Sequence, residues 1–293
     1  MGGNIEMYKI CLVVTTREEF HVIRRLFDSL NKQCREFFFE VFFVNQNKYK
    51  FDGFPFHENI SLTVIEVNHS IPLSNARNIA LSHANLQGFD VVAFPDDDCW
   101  YSEDLIRDVF AYFSDNAFCN ILCTNVMDPS NNKTYGGRPI GITVPIDSKN
   151  VFSYPISVGI FIRIRERLIK HIFFDETLGA GTDIGSGEET DLIYRLIKNN
   201  EKCIYVGNIF VYHPVVDSNY RLEDISKCYK YGVGFGYLTR RMVTNDDYIV
   251  LLYFTHIIFR TIAGYIFSLG NTINRKVYFH RLKGIFSGFL RKS

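Results

Sequence analysis

The sequence predicts an α/β fold in which helices flank a central, mostly parallel sheet. Over the first 115 residues, short apolar runs rich in Val, Ile and Phe alternate with segments whose apolar residues recur at helical spacing. Strands that alternate with helices form βαβ units, whose strands run parallel. The chain has 293 residues, 47% of them hydrophobic, and is therefore long enough to bury a large core.

Each element of the first half has its own signal. Residues 9–15 are an apolar, β-branched run and predict a buried strand, whereas residues 17–33 carry apolar residues three and four apart and predict a helix. Ser residues that can cap a first helical turn precede two more helices. We therefore predict strands at 9–15, 37–44, 62–67 and 90–94, and helices at 17–33, after Ser74 and after Ser102.

From about residue 120 the pattern is less regular. Residues 128–150 are rich in Asn, Gly and Pro and predict loops or a hairpin. A strand at 157–164, a mobile glycine-rich loop at 175–187, a helix at 188–199 and a strand at 202–212 follow. The second half is thus a mixture of loops and single elements.

Charge and cysteine content exclude several classes of protein. Lys and Arg number 32, as do Asp and Glu, so the net charge is zero and we expect no nucleic-acid partner. The seven cysteines are scattered and form no CxxC pair, which argues against a disulfide framework or a zinc ribbon and favours reduced thiols in the cytoplasm. Residues Met1–Glu6 lack the basic region of a signal peptide, and no long apolar run follows them.

Polar clusters follow three of the predicted strands, at 15–18, 45–47 and 96–98. Ligands of parallel sheets bind beyond the carboxyl ends of the strands, so these clusters indicate a site. Asp96 and Asp98 share one face of an extended chain, where two like charges need a proton or a cation between them. Mg²⁺ and Mn²⁺ prefer such carboxylate oxygens and would bridge a diphosphate. A solvated acidic turn, or Asp capping the next helix, is the alternative.

Five motifs occur in order along residues 8–215. They are Thr15-Thr16-Arg17-Glu18, Ser74-Asn75-Ala76-Arg77-Asn78, Phe94-Pro95-Asp96-Asp97-Asp98, a 174–195 segment with Gly187-Glu188-Glu189-Thr190-Asp191-Leu192, and His213-Pro214. In this order they resemble the family-2 glycosyltransferases with the GT-A fold, in particular those of bacterial surface-polysaccharide biosynthesis. The resemblance implies an inverting, metal-dependent enzyme that moves a sugar from a nucleotide-sugar to the hydroxyl of a glycan or lipid-linked glycan.

The resemblance also implies roles for individual residues. It places Mn²⁺ or Mg²⁺ at Asp96, Asp98 and His213. It places the donor, with a UDP-sugar favoured, at Thr15, Arg17, Glu18, Asn45, Arg77, Asp96 and Asp97. It makes Glu189 the catalytic base and brings Glu188 and Asp191 to the acceptor, although either of these could instead be the base. The turn 45–47 has Asn where the family often has an Asp that reads the nucleotide base, which leaves the nucleotide open.

Three acids, Glu188, Glu189 and Asp191, open a predicted helix after the glycine-rich loop. A carboxylate is stabilised as the anion near a helix N-terminus. If it lies within hydrogen-bond reach of an acceptor hydroxyl, it can remove that hydroxyl's proton. Acids that merely balance the helix dipole are the alternative. We expect the loop 179–187 to act as a lid over the donor.

The end of the chain differs in character from the rest. Residues 248–269 are mostly apolar and long enough to span a bilayer, but four polar residues from His256 to Ser268 form a stripe along one face. Basic residues as far as Lys292, and no acid, follow, as in amphipathic helices that bind a membrane surface. We predict that residues 248–293 attach the protein to the cytoplasmic face of the cell membrane. A transmembrane helix, or helices packed on the catalytic domain, are the alternatives.

The predicted organisation is one domain with a tail. The divisions are a catalytic domain over 1–244, with a nucleotide-sugar half at about 1–115 and an acceptor half at about 116–244, and a basic amphipathic helical tail over 245–293. Tyr135–Arg138 and Ser157–Gly159 are candidate acceptor-side elements. A nucleotidyltransferase is disfavoured because the loop after the first strand has no glycine. An inactive, membrane-associated glycan-binding or scaffold relative is disfavoured because the acids are intact.

Overall fold

A ten-stranded sheet runs through the centre of the computed structural model, which describes residues 7–34, 36–215 and 220–291. The strands are β1 Tyr8–Thr16, β2 Phe37–Asn45, β3 Ile60–Glu66, β4 Val91–Ala93, β5 Trp100–Tyr101, β6 Cys119–Asp128, β7 Lys133–Thr134, β8 Thr143–Pro145, β9 Ile160–Arg163 and β10 Lys202–Tyr212. The helices are α1 Phe20–Gln33, α2 Leu73–His83, α3 Leu105–Asp115, α4 Glu166–Ile169, α5 Glu188–Lys198, α6 Asp224–Thr244, α7 Val250–Phe267 and α8 Thr272–Leu290. Met1–Glu6 and Lys292, which the sequence analysis interprets, lie outside the described residues.

The strand order is β3-β2-β1-β4-β9-β6-β10-β5, with β7 beside β6 and β8 beside β10. Strands β1 to β4 all pair in parallel, as do β6 and β10. Strand β9 is antiparallel to both of its neighbours, and the short strands β5, β7 and β8 are antiparallel additions. The predicted α/β fold with a mostly parallel sheet is confirmed.

Two apolar layers cover the two faces of the sheet. Strand β1 has buried residues on both faces, with Ile10 and Leu12 in the layer under α1 and α3 and Cys11 and Val13 in the layer under α2 and α5. A parallel strand covered on both faces needs this unbroken apolar run. Each fully buried side chain of this kind contributes about 1.5–3 kcal/mol to the stability of the fold. The sheet is therefore a stable base for the loops at its carboxyl edge.

Some elements differ from their predictions. Helix α2 begins after Pro72, and Ser74 is a buried residue inside it whose hydroxyl donates to the Leu178 carbonyl rather than capping the helix. Helix α3 is preceded by Asp104, while the Ser102 hydroxyl donates to the Phe210 carbonyl. Two long elements, β6 and α6, have no counterpart in the prediction.

Helices α6 and α8 pack against each other through glycines. An added Cβ on Gly236 would lie 2.0 Å from the Ile285 carbonyl oxygen, and one on Gly288 would lie 2.0 Å from the Val233 carbonyl oxygen. Real Cβ atoms do not approach this closely, so only glycine permits the contact. Gly234, on another face of α6, packs with the same closeness on Ser186, just before α5. The two helices are therefore part of the same body as the sheet.

Helix α7 leaves most of its apolar surface uncovered. Within the described residues it is the one helix long and apolar enough to cross a membrane, and 11% of it is buried. Leu252, Phe259 and Phe267 are 69%, 67% and 89% exposed. The C-terminal segment is thus partly a wall of the folded domain, through α6 and α8, and partly an apolar outer surface, through α7.

Candidate active site

A cavity of about 370 Å³ opens where the sheet meets the C-terminal helices. Asp96, after β4, and His213, after β10, line one end of it, and Glu188 and Glu189 at the start of α5 line its side. Residues of α6, α7 and α8 also line it. No residue of β1 or β2 contributes to the lining. The cavity therefore includes residues of the predicted metal site and none from the strands that carry the predicted nucleotide site.

Arg77 links the Asp96 carboxylate to α5. Its guanidinium is buried, donates from Nη2 to Asp96 Oδ1 at 2.9 Å, and lies 3.8 Å from Glu188 Oε1 through Nη1. It also lies over the Phe174 ring, 5.1 Å from its centroid. Nη1 has no hydrogen-bond partner among the described residues. Burial raises the pKa of Asp96, and Arg77 opposes this shift without cancelling it.

Asp98 and His213 form the second pair at this edge. His213 Nε2 lies 3.1 Å from Asp98 Oδ1, and Nδ1 lies 2.7 Å from the Pro214 carbonyl oxygen. A carbonyl oxygen only accepts, so Nδ1 carries a proton, and Nε2 faces the carboxylate. Burial lowers the pKa of His213, but the hydrogen bond and charge of Asp98 outweigh it and raise the pKa. A proton or a metal ion must lie between Nε2 and Asp98.

Asp97 points towards β1 rather than into the cavity. Thr16 donates its hydroxyl hydrogen to Asp97 Oδ2. Burial raises the pKa of Asp97 to about 6, although the Thr16 hydrogen bond lowers it. Among the described residues, no three His, Cys, Asp or Glu side chains surround a common point in the way a metal ion needs. The aspartates and His213 are nevertheless brought together at one edge, as predicted.

The remaining predicted donor residues lie at the ends of β1 and β2. Arg17 donates to Gln46 Oε1 at 3.1 Å and to the Ile71 carbonyl. The Glu18 carbonyl accepts from Asn47 Nδ2 at 3.0 Å, and Thr15 is partly buried beside them.

Asn45 is fully buried, and its amide donates to Glu66 Oε2 at 2.7 Å and to the Tyr49 carbonyl at 2.8 Å. Its side chain therefore fastens the turn. Gln46, which the sequence analysis did not single out individually, joins this turn to α2 because its Oε1 also accepts from Ile71 N.

The three acids of α5 separate into two groups. Gly187, with a φ of 97°, turns the chain so that Glu188 and Glu189 both line the cavity. Burial and the neighbouring Glu188 raise the pKa of Glu189 to about 8. Asp191 is 1% exposed and pairs with Arg195 Nε at 2.7 Å and Arg241 Nη1 at 3.4 Å. The structure therefore does not bring Asp191 to the cavity.

The glycine-rich loop before α5 is packed on both sides. Leu73 N donates to the Ala180 carbonyl at 2.9 Å, which joins the loop to α2. An added Cβ on Gly185 would lie 2.9 Å from Lys230 Cβ, which shows how closely the loop approaches α6. The loop predicted as a mobile lid is thus a packed connection between two helices in this structure.

The contribution of α6, α7 and α8 to the cavity is not predicted by the sequence analysis, which interprets residues 245–293 as a membrane-binding tail, with helices packed on the catalytic domain as one alternative. The lining residues of these helices include Tyr231, Phe235, Tyr253, Ile257, Arg281 and Ile285. The paired Gly-x-x-x-Gly spacings of α6 and α8 are the one sequence signal that indicates close packing of these helices.

The comparisons with known proteins agree with the fold. The profile described as Glycosyl transferase family 2 matches residues 11–173, more than half of the chain. No curated protein sequence matches significantly. S. aureus TarS 1–349 is 15% identical with a TM-score of 0.59, covering 97% of this chain and 81% of that one. The mannosyltransferase PcManGT from Pyrobaculum calidifontis, in complex with GDP-Man and Mn²⁺, is 15% identical with a TM-score of 0.61, covering 98% and 88%.

TarS has also been solved with UDP-GlcNAc, at 17% identity and a TM-score of 0.50, over 78% of this chain and 66% of that one. Identities this low establish the shared fold, and the profile establishes the family. The carboxylates Asp96–Asp98 follow β4, and the acids Glu188, Glu189 and Asp191 open α5. The chain therefore belongs to glycosyl transferase family 2 and is a glycosyltransferase with the GT-A fold.

Proposed function

We propose that this enzyme is an inverting, metal-dependent glycosyltransferase that uses a nucleotide-sugar. One observation carries the proposal: Glu189, Asp96 and His213 line the same cavity. Such a transfer needs a base that deprotonates the acceptor and residues that stabilise the leaving diphosphate. Here the candidates for both roles line one cavity.

The residues after β4 and β10 fit a hard divalent ion. Asp98 offers a carboxylate oxygen and His213 an imidazole nitrogen that already face each other across 3.1 Å, and Asp96 lies two residues away. Such ions bind through one or two carboxylates and complete their shell with phosphate oxygens and water. Asp96, Asp98 and His213 would hold Mn²⁺ or Mg²⁺, which would stabilise the negative charge of the leaving diphosphate.

Glu189 is the proposed base. Its carboxylate removes the proton of the acceptor hydroxyl as the hydroxyl oxygen attacks the anomeric carbon. A bond forms between these two atoms while the bond to the diphosphate oxygen breaks on the opposite side, and the configuration inverts. The buried Arg77 positions Asp96 and Glu188 on the two sides of this reaction. Asp191 contributes through α5 packing, because its carboxylate is already paired with two arginines.

The donor is proposed to bind at the ends of β1 and β2. Thr15, Arg17 and Glu18 lie there, and Asn45 shapes the turn beside them. Asp97 fixes this region against β4. A UDP-sugar is our favoured donor, in line with the TarS complex with UDP-GlcNAc. A GDP-sugar is the donor to compare it with, because PcManGT was solved with GDP-Man.

We also propose that the enzyme acts at the inner face of the cell membrane, in surface-polysaccharide synthesis, on a glycan or lipid-linked glycan. The apolar surface of α7 and the basic residues of α8 support peripheral attachment. Phe279 and Phe286 are exposed apolar side chains on α8, and Lys276 and Lys283 are exposed on the same helix. A surface of this composition binds anionic lipid headgroups.

The test is thermal unfolding with UDP, GDP, CMP or dTDP, with and without Mn²⁺. A ligand that binds the folded state adds about 2.7 kcal/mol of stability at a hundredfold excess over Kd. We expect one nucleotide to stabilise the protein only with Mn²⁺, and Asp98→Ala to remove the effect. Equal stabilisation by a nucleotide with and without Mn²⁺ would contradict the proposed metal dependence. The absence of stabilisation by any nucleotide would contradict the proposed donor site.

Glu189→Gln separates an enzyme from a binding protein. Because a general base contributes typically about 10²–10⁴-fold, we expect turnover to fall by that factor while nucleotide affinity is unchanged. Glu166→Gln, an exposed acid on α4, is the matched control. Turnover in Glu189→Gln equal to that of the control would rule out Glu189 as the base.

A further inference from the structure

Two arginines line the cavity, and neither has a carboxylate partner in the described part of the chain. Arg138, in the loop between β7 and β8, donates to the carbonyl oxygens of Tyr135, Tyr154 and Pro155 at 2.8, 3.1 and 3.4 Å. An arginine has five N–H groups, so two remain for a ligand. The Arg281 side chain on α8 makes no hydrogen bond or ion pair with any described residue. Both guanidiniums therefore border the cavity without an ion pair to any acid among residues 7–34, 36–215 and 220–291.

A partly buried arginine without a counter-ion is unfavourable unless an anion binds there. Burial lowers the pKa of Arg138, and the charge of Glu189 is among the influences that oppose this shift. The two groups, which both line the cavity, therefore interact electrostatically. Arginine is well suited to carboxylate and phosphate groups because its planar fork binds two oxygens at once. The cavity is therefore equipped for an oxyanion.

The position of the arginines favours the acceptor over the donor. The cavity is lined by Asp96, His213 and residues of α6, α7 and α8, and no residue of β1 or β2 lines it. Aromatic side chains, Phe235 and Tyr253 among them, line the same space and can stack on a sugar ring. A charged sugar therefore finds both a stacking surface and cationic partners beside Glu189.

We propose that the acceptor glycan carries an oxyanion, a carboxylate or a phosphate, and that Arg138 and Arg281 bind it while the acceptor hydroxyl lies at Glu189. This assignment rests on the proposed glycosyl transfer and adds the chemical class of its acceptor. Arg281 is the specificity-determining residue, since it has no structural hydrogen bond, and Arg138 combines this role with holding its loop.

The experiment measures the binding of three matched probes to the full chain by NMR titration. Methyl glucoside, methyl glucuronide and methyl glucoside 6-phosphate differ only at the C6 substituent, which is neutral, a carboxylate or a phosphate. We expect at least one charged probe to bind about tenfold more tightly than the neutral one, a difference of about 1.4 kcal/mol. The tighter of the two charged probes identifies the oxyanion.

Variants of α8 attribute the discrimination to its source. Arg281→Gln should remove the tenfold preference, Arg281→Lys should keep most of it, and Lys283→Gln, exposed on the same helix, should leave it unchanged. Raising the ionic strength of the wild-type sample from about 0.05 M to about 0.5 M should weaken the charged probes alone, which tests the proposal without any variant. Equal binding of the three probes, or no binding of either charged one, overturns the proposal.

Nucleoside diphosphate affinity is measured in the same samples. If Arg281→Gln weakens the nucleotide and not the charged probe, the arginine serves the donor and the proposal is wrong. If no nucleotide binds but the charged probe does, the donor site of the proposed function fails while the oxyanion site stands.

Discussion

Arg77 shows how one side chain can join two parts of a site. It is held between Asp96 after β4 and Glu188 on α5, and one of its nitrogens has no hydrogen-bond partner within the described chain. The sequence motif places an arginine near the donor, but its two carboxylate partners are 19 and 111 positions away. Asp191 likewise pairs with Arg195, four positions along the same helix, and also with Arg241 of α6. Local spacing can reveal the Arg195 pair but neither the Arg241 pair nor the pairs of Arg77.

Replacing Arg77 with Met should destabilise the fold. The change leaves Glu188 buried without its nearest cation and Asp96 without its hydrogen bond. Removing one partner of a buried pair costs about 3–5 kcal/mol, and the lower end applies because Asp96 keeps 36% of its side chain exposed. Urea unfolding measures the loss, with Arg24→Met on the exposed face of α1 as the control. A loss below about 1 kcal/mol would contradict the pairing.

The raised pKa of Glu189 predicts how the rate depends on pH. A base acts only when deprotonated, and burial together with Glu188 raises its pKa to about 8. We expect kcat/KM to rise about tenfold per pH unit up to about pH 8 and then to level off. The residual rate of Glu189→Gln should lack this rise. A wild-type profile that is flat between about pH 6 and 9 would contradict the assignment.

At the scale of elements, the α6–α8 contact explains the largest gap between sequence and structure. Glycine is a poor helix former, so three glycines in the middle of α6 argue locally against a helix. They are present because α8, about 50 residues later, lies against the α6 backbone. Elements β1 to α3 were predictable because their apolar spacing is itself local.

Gly288→Ala tests this contact. Alanine favours an isolated helix by about 1 kcal/mol over glycine, yet its Cβ would lie 2.0 Å from the Val233 carbonyl oxygen. We expect a net loss of about 1–3 kcal/mol in the free energy of unfolding, since the two backbones must separate. Gly270→Ala, where nothing lies within 4 Å, should change stability by less than about 0.5 kcal/mol. Equal effects of the two changes would mean that α6 and α8 do not touch.

At the scale of the whole molecule, zero net charge conceals a division of surfaces. Acids gather at the strand ends, while the described part of the chain carries no acidic residue after Asp247. The sequence analysis interprets this basic segment as a tail; its apolar and basic composition was visible, but its return to the cavity through α8 was not. The composition of the segment shows that it is basic and apolar, whereas its contact with the cavity depends on packing between residues far apart in the sequence.

The proposed membrane attachment should depend on charge. Each Lys near an anionic membrane contributes about 1 kcal/mol, so changing Lys276 and Lys283 to Gln should weaken vesicle binding about fivefold for each residue. Flotation with phosphatidylserine-containing vesicles measures the change, and Lys48→Gln with Lys50→Gln, exposed after β2, is the matched pair. Equal flotation on neutral and anionic vesicles would contradict an electrostatic contribution.

The glycine contact between α6 and α8 also means that these helices touch through backbone atoms, which are distinct from the side chains that line the cavity. Because the α6 and α8 backbones touch directly, their spacing does not depend on the size of the side chains that line the cavity. Arg281, whose side chain makes no hydrogen bond to a described residue, can therefore be exchanged for other residues without changing the spacing of α6 and α8. A library restricted to such lining positions should yield folded enzymes with altered acceptor preference, so this wall is a natural starting point for directed evolution.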